Sequence, residues 1–584
     1  MKRVLRQNCF IFLLLSVGIF YKLSYSLNLN LIYEGKISES IEINDFEELQ
    51  NEIYKITNNY SWNFIYLFKE DGSFKEIKNY HELKNLEEID NKNKLYLALS
   101  NTPYDLNNEN NILPFYSIII AGTGLAGCSS AVYSAKKSTH SILLLEKKAE
   151  LGGNSRKASS GINFIDTPLQ KNQNINDSIK SFIKDTINSG KGKSNIKLVE
   201  ELAKNSQKAY NFLEDIGINF KSLAQLGGHS INRTHRPENG GVGEFIMSKV
   251  ISYITNYPTK QNLQLKTKSE LFELIEKNNQ IIGVKIKYNG KEINVYCNSV
   301  ILATGGYAND HNNDSLLSEY APHLIQLPTT NGNSSDGSGI KLARKIGAAL
   351  VDMDQLQIHP TSFIDPINPE AKVKFLAHEL LRGVGGILIN EKGNRFCNEL
   401  GYRDYITEEI FKHCRNATSY LLINEEGMKK YGQSFNYYIE KGFIKHYKNL
   451  ADLCKSTGLD YINLLNTFEQ YNISSNNSID EFGKKIFPER FDPDNELYSC
   501  IITPALHYSM GGVKINKKAE VISSNGKVIR GLYAAGEVTG GVHGGNRLAG
   551  NSLFECVTFG IIAAENAIKF SESKAKCNLF SDDL

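Results

Sequence analysis

Two hydrophobic periods alternate along this chain. Short unbroken apolar runs at 116–120 (YSIII), 141–146 (SILLLE) and 300–304 (VILAT) read as strands buried on both faces. The stretches at 129–137 (SSAVYSAKK) and 553–568 (LFECVTFGIIAAENAI) repeat apolar residues at helical spacing. Strand, helix, strand in that order predicts an α/β fold around a parallel sheet. Residues 27–100 differ, being rich in Asn, Lys, Ile and Glu. There LNLIYEG, SESIEIN, NFIYLFKEDGSFKEI and KLYLALS read as strands and FEELQNEIYKI as a helix, a small α+β domain of the β-grasp kind. Residues 101–112 are polar and turn-rich and read as a linker.

The chain begins with Lys2, Arg3 and Arg6, then about a dozen apolar residues, then the small residues Ser24 and Ser26. Residues 1–26 therefore read as a secretory signal peptide, the run falling short of the ~18–20 apolar residues that span a bilayer. The last residues, Ser581-Asp582-Asp583-Leu584, resemble the acidic-leucine end of luminal retention signals. Together they give an expected location in the endoplasmic reticulum lumen, with the mitochondrion or secretion as alternatives.

With 66 basic and 64 acidic residues the net charge is +2, which gives no electrostatic case for nucleic acid. Nine cysteines show no paired C-x-x-C spacing, so neither a zinc nor an iron–sulfur site is expected, and no metal at all. C-x-x-C-H does not occur and His81 is the lone histidine between residues 27 and 111, so a haem module is not expected there and electrons must come from outside.

The chemistry lies in three places. Gly122, Gly124 and Gly127 form G-x-G-x-x-G between a strand and a helix, and the next strand ends on Glu146. That context predicts a dinucleotide site, the pyrophosphate at the helix start and the carboxylate on the ribose. A second Gly-rich stretch, LGGNSRKASSGIN, follows at 151–163. The third place, 378–404 (HELLRGVGGILINEKGNRFCNELGYRD), sets Glu379, Arg382 and Arg403 among glycines and apolar residues. Glu379 and Arg382 are three apart and can pair on one helical face. GILIN and RFCNE read as two strands whose turn, at 391–394, returns Arg403 towards Glu379. Two arginines and one carboxylate kept from water would hold a dianion and pass a proton.

The string E-x-x-R-G, then G-x-R-F-x-N-E, then R-D, resembles the flavin-dependent fumarate reductases, in the form of the soluble fungal-type enzymes, from about Phe115 to about Ser571. The resemblance implies a Rossmann-like FAD-binding domain at 113–351 and 508–571, an inserted α+β capping domain at 352–507, and a tail at 572–584. It implies FAD, held without a covalent bond because Asn154 stands where covalent members have histidine. Its cofactor contacts would be Gly122, Gly124, Leu125, Ala126, Gly127, Glu146, Lys147, Gly153, Asn154, Ser155, Ser160, Gly161, Thr304, Gly305, Asp336, Glu537, Arg547, Asn551, Ser552 and Leu553. Asn551 and Ser552 also open an apolar helix whose N-terminus would favour the negative charge of reduced flavin.

The resemblance further implies that His507 and Arg547 bind one substrate carboxylate, while His359, His378 and Glu379 shape the pocket for the other. Arg403 would be the proton donor and Glu379 and Arg382 its relay, which requires Arg403 to sit desolvated beside Arg382. Relatives of bacterial type carry threonine before the relay glutamate where this chain has His378, which bears on substrate preference. The expected reaction is fumarate to succinate, with reduced FAD or FMN as donor and a monomeric protein without a membrane partner. Alternatives are a reductase of urocanate or another unsaturated acid, a flavoprotein subunit of a larger complex, or an NADH oxidoreductase. A single complete G-x-G-x-x-G counts against the last.

Overall fold

A computed structural model describes residues 112, 115–238, 240–256, 262–432 and 434–580, with side chains to residue 574 except at Ser434, and the backbone of the strands between Ile11 and Ser100. The remainder of residues 1–26, the linker at 101–111, the FEELQNEIYKI helix and the four terminal residues lie outside the described residues. The expected strands appear at Leu27–Tyr33, Ile41–Ile43, Phe64–Lys69, Phe74–Glu76 and Leu95–Ser100. The apolar run expected as the leader's core is laid as a strand, Ile11–Ser16, antiparallel to both Leu27–Tyr33 and Leu95–Ser100.

The main body is built on an eight-stranded sheet. Phe115–Ala121 is flanked by Ile142–Leu145 and Lys291–Leu302, all parallel, and Val528–Ala534 extends the parallel set beyond Lys291–Leu302. The first three apolar runs of the sequence are thus neighbours, and Ile118, Ile119, Ile120, Ile142, Leu143 and Leu144 are wholly buried. The hairpins from Ser269–Lys277 to Lys291–Leu302 add an antiparallel edge. The helix Leu125–Lys137 and the long C-terminal helix Asn551–Phe580 pack together on the sheet. The C-terminal helix runs past Ser571, so residues expected as a tail continue it.

The inserted unit is a five-stranded antiparallel sheet. Its central strand, Leu497–Ser509, pairs with Leu356–Phe363 on one side and Ser419–Asn424 on the other, with Ile387–Ile389 beyond. One apolar cluster includes Leu381, Leu388, Ile406 and Phe435; another includes Leu450, Leu464 and Phe468. The two strands Leu356–Phe363 and Leu497–Ser509 carry the insert into the main body. RFCNE is not a strand: only Arg395 bridges back, to Ile389, and the turn closes through Asn390 N–H to Asn394 O at 3.0 Å.

Candidate functional site

A cleft enclosing about 1680 Å³ of empty space, counted out to its open mouth, runs from the first glycine turn to the junction with the insert. The turn is tight because Gly122 has φ +104° and a Cβ there would stand 2.4 Å from Ala303 O. Gly124 opens the helix Leu125–Lys137 without a side-chain cap of its own or an acid in the first turn; Leu125 N–H goes to Ser155 Oγ at 3.0 Å, and the N–H groups that follow it, with the helix dipole, favour an anion. Gly127 does something else: its missing Cβ lets the helix lie against Gly122 O. Thr123 N–H and Oγ1–H hold Glu146 Oε2 at 3.2 and 2.6 Å, fixing the carboxylate at the end of its strand.

Most of the predicted cofactor residues line this cleft. Gly122, Gly124, Leu125, Ala126, Glu146 and Lys147 stand at one end and Gly153, Asn154, Ser155, Ser160 and Gly161 along its side. Thr304, Gly305, Glu537, Arg547, Ser552 and Leu553 complete the wall. Gly153 and Gly305 have open space where a Cβ would project, and Thr304 Oγ1 and Ser159 Oγ are buried with no hydrogen-bond partner. Such a cradle with unmet polar atoms fits a dinucleotide. Asn154 Nδ2 donates to Asn331 Oδ1 (2.6 Å) and Ser335 Oγ (2.7 Å), tying the second glycine stretch to the loop opposite.

Three predicted residues stand off the cleft. Gly127 serves helix packing. Asp336 accepts from Lys147 Nζ at 2.6 Å and so orients that lysine. Asn551 is wholly buried and turned to Asn163 (2.7 Å) and Thr186 (3.1 Å), so it anchors its helix instead of facing a ligand.

At the junction the cleft is lined by Arg403, His507, Tyr508 and Arg547. His507 points there because of a β-bulge: Gln357 pairs with Tyr508 and Ile358 with Leu506, which leaves His507 unpaired. Its Nδ1 lies 2.8 Å from Thr330 Oγ1. The ring of buried His359 stands 5.1 Å from that of His507, and its Nε2 has no partner. Burial, then the Arg403 and Arg547 guanidiniums, hold His507 well below its ordinary value; burial, Arg403, His507 and Arg382 do the same to His359. Both rings are neutral donors or acceptors.

Behind the cleft wall, Arg403 Nε and Nη2 both donate to Glu379 Oε2, at 3.0 and 2.9 Å, while Gly227 N–H donates to Oε1 at 3.1 Å. Burial would push this carboxyl up. The Arg403 and Arg382 charges and these bonds outweigh it and hold Glu379 at about 2. With both oxygens occupied behind Arg403, Glu379 is a partner of the arginine and not a lining group. The expected Glu379–Arg382 pair is not formed. The helix Glu379–Gly383 is one turn long, and Arg382 instead gives an Nη1–H to Glu399 O while its Nε and Nη2 stay buried without a partner. His378 caps that turn off the cleft, with Nδ1 2.8 Å from Tyr431 OH, and burial together with Arg236 pushes it down to about 3.

Sequence reasoning missed Gln357. Its Oε1 accepts from Arg403 Nη1 (2.8 Å) and Arg547 Nη2 (3.1 Å), joining the two arginines. A signal existed, since Gln357 and His359 lie two apart on one strand and so share a face. Missed too were Tyr508, whose ring carries the Arg547 guanidinium at 4.6 Å, and Glu555, which accepts from Tyr508 OH at 2.9 Å. Burial and Arg403 lower Arg547 to about 10. Glu537 accepts from Ser509 N–H and Oγ–H at 3.0 and 3.2 Å, yet burial still raises it to about 7. The described cysteines, Cys128, Cys297, Cys397, Cys414, Cys454, Cys500 and Cys556, are all free and buried.

A family model described as "FAD binding domain" matches residues 117–553. The fumarate reductase of Schizosaccharomyces pombe is 39% identical over 460 residues, 77% of this chain and 88% of that protein. Fumarate reductase 1 of Saccharomyces cerevisiae is 38% identical over 477 residues, 77% of this chain and 98% of that protein. Among solved structures, the open conformation of a flavocytochrome c3 fumarate reductase superposes with a TM-score of 0.65 at 29% identity, covering 81% of this chain and 84% of that one.

Proposed function

The chain belongs to the FAD binding domain family, and from that premise we propose that it is an FAD-dependent fumarate reductase. The observation that carries this reading is the convergence of Arg403, Arg547 and His507 at the end of the FAD cleft, with Glu379 paired two-fold behind Arg403. Similarity to two fungal fumarate reductases over most of their length supports it.

Held by the cleft residues Gly122, Gly124, Glu146, Ser155 and Gly161, FAD would supply the hydride chemistry when bound and reduced. The protein supplies the rest. Arg547 and His507 receive one carboxylate, and buried His359, whose Nδ1–H goes to Thr361 O at 2.8 Å in the neutral ring, shapes the pocket for the other. Clamping both ends fixes the alkene and polarises it. Arg403 spends three of its five N–H groups, two on Glu379 and one on Gln357, leaving one on each terminal nitrogen for the substrate. One of these delivers the proton to the second alkene carbon. Glu379 Oε2, hydrogen-bonded to the same guanidinium, is the route by which a replacement proton reaches it; resting ionised, Glu379 must first take that proton from beyond the pair, and Arg382 acts on it through charge, with no hydrogen bond between the two.

The reading extends to setting. Free reduced FAD or FMN is the electron donor, in keeping with a sequence that carries no haem motif, and the protein is a monomer of the endoplasmic reticulum lumen, where fumarate acts as an electron sink. The basic start, apolar run and acidic-leucine end support that location. No helix among the described residues is long and apolar enough to cross a membrane.

The deciding experiment is anaerobic oxidation of chemically reduced FMN or FAD by the purified protein, with fumarate compared against urocanate and other unsaturated acids. Fumarate-dependent oxidation that is abolished in Arg403→Ala with FAD still bound is expected. Turnover with another acid alone overturns the substrate, and turnover retained in Arg403→Ala removes Arg403 from the acid role.

A further inference from the structure

His507 can offer the cleft either a donor or an acceptor, depending on which ring nitrogen carries the proton. Its neighbours decide this. Nδ1 faces the Thr330 hydroxyl at 2.8 Å, and Nε2 has no bonded partner in the protein. Because burial and the two arginines hold the ring neutral, only one nitrogen is protonated. The question becomes where the Thr330 hydroxyl sends its hydrogen.

Two acceptors are within reach, Nδ1 of His507 at 2.8 Å and Leu506 O at 3.3 Å. Leu506 O is already taken. It accepts Thr330 N–H at 2.9 Å and Thr329 Oγ1–H at 3.1 Å, which uses both of its lone pairs, and Asn331 Nδ2 crowds it further at 3.5 Å. The loop cannot turn away either. Thr329 bridges Leu506 and Val373, Leu506 N–H donates to Pro328 O at 2.8 Å, and Asn331 Nδ2 donates to His507 O at 3.1 Å. The remaining place for the Thr330 hydrogen is Nδ1.

We infer that Thr330 is the positioning residue that fixes His507 as the Nε2–H tautomer. The histidine then presents a hydrogen-bond donor to the cleft beside Arg403 and Arg547. This end of the site is set for a group that only accepts, a carboxylate, and against one that presents an N–H, such as an amide or a protonated ring nitrogen. The inference rests on the fumarate reductase reading for its consequence and on the hydrogen-bond geometry around a neutral ring for the tautomer.

The test separates the two. NMR of the FAD-loaded protein labelled with 15N-histidine, assigned with His507→Gln, should show pyrrole-type Nε2 and pyridine-type Nδ1 at His507. Thr330→Val keeps the shape and removes the hydroxyl, so it should shift or broaden that pair of signals. It should also raise KM for fumarate about tenfold, the loss expected for one hydrogen bond to a charged group, with kcat and flavin absorbance little changed. Thr330→Ser should restore both. Nδ1–H in the unsubstituted protein, or a KM in Thr330→Val equal to that of the unsubstituted enzyme, overturns the assignment. A protein inert to fumarate but with the expected 15N pattern would overturn the substrate reading and leave the tautomer standing.

Discussion

Replacing Glu379 by glutamine keeps the shape of the side chain and removes its charge. The carboxylate takes three hydrogen bonds, two on Oε2 from Arg403 and one on Oε1 from Gly227 N–H. A carboxamide has one oxygen, so whichever way it turns, its NH2 faces a donor, Gly227 N–H or the Arg403 guanidinium. One buried donor is orphaned, which costs about 1–3 kcal/mol. Arg403 and Arg382 also lose the anion that compensates them, and breaking a buried pair from one side costs about 3–5 kcal/mol in all. For Glu379→Gln the melting temperature should fall by roughly 2–5 °C, the chain's length making its unfolding entropy large. The kinetic effect should be larger, because the amide cannot return a proton to Arg403, and kcat should drop by about 10²–10⁴-fold. The assay is anaerobic oxidation of reduced FMN at saturating fumarate, with FAD occupancy read from flavin absorbance. A variant that holds FAD and keeps more than a tenth of the kcat of the unsubstituted enzyme would refute the relay.

Two further expectations follow from other parts of the molecule. Glu379 and Glu399 are both held at about 2 against an ordinary 4.5, the first by Arg403 and Arg382 and the second by Lys484 and Arg395, in each case against burial. Their folded values lie below the unfolded ones, so their contribution is complete above about pH 4.5 and is lost as pH falls towards 2; melting curves should be level above pH 5 and drop steeply below it, and a level curve down to pH 3 would contradict the pairing. Gly122→Ala should yield a folded protein that no longer retains FAD, since φ +104° and a Cβ 2.4 Å from Ala303 O force the turn open; normal flavin content after gel filtration would contradict the tight-turn argument.

What could be read from sequence divides along the range of the interactions. The parallel strands and the first glycine turn are local patterns, and Ile118, Ile142 and Val300 sit where their apolar runs placed them. The Arg403–Glu379 pair was anticipated from the motif. The Glu379–Arg382 pairing differs because spacing of three on a helix predicts a partner along the same turn, whereas the partner of Arg382 in the structure, Glu399 O, is set by a loop 17 residues on. RFCNE alternates like a strand, but Glu399 is drawn inward by Arg395 and Lys484 at 2.8 Å each, a partnership that only the tertiary fold creates. Thr330 carries no signature as a single letter, because its importance lies in the atom it faces, His507 Nδ1, and Gln357 is legible only through its two-residue spacing from His359.

The Gly227–Glu379 hydrogen bond has a temporal consequence. Gly227 belongs to the loop after Ser222–Ala224, in the main body, and Glu379 to the insert; nearby, Tyr402 leans on Gly228 from the insert side. Arg403 of the insert and Arg547 of the main body line the cleft from either side of this junction. If the insert swings away to let succinate out, Glu379 loses a donor and Arg403 moves off the flavin's end of the cleft with it. Proton delivery and product escape would then need different placements of the insert, and the open protein would hold no acid ready for whatever else entered the cleft.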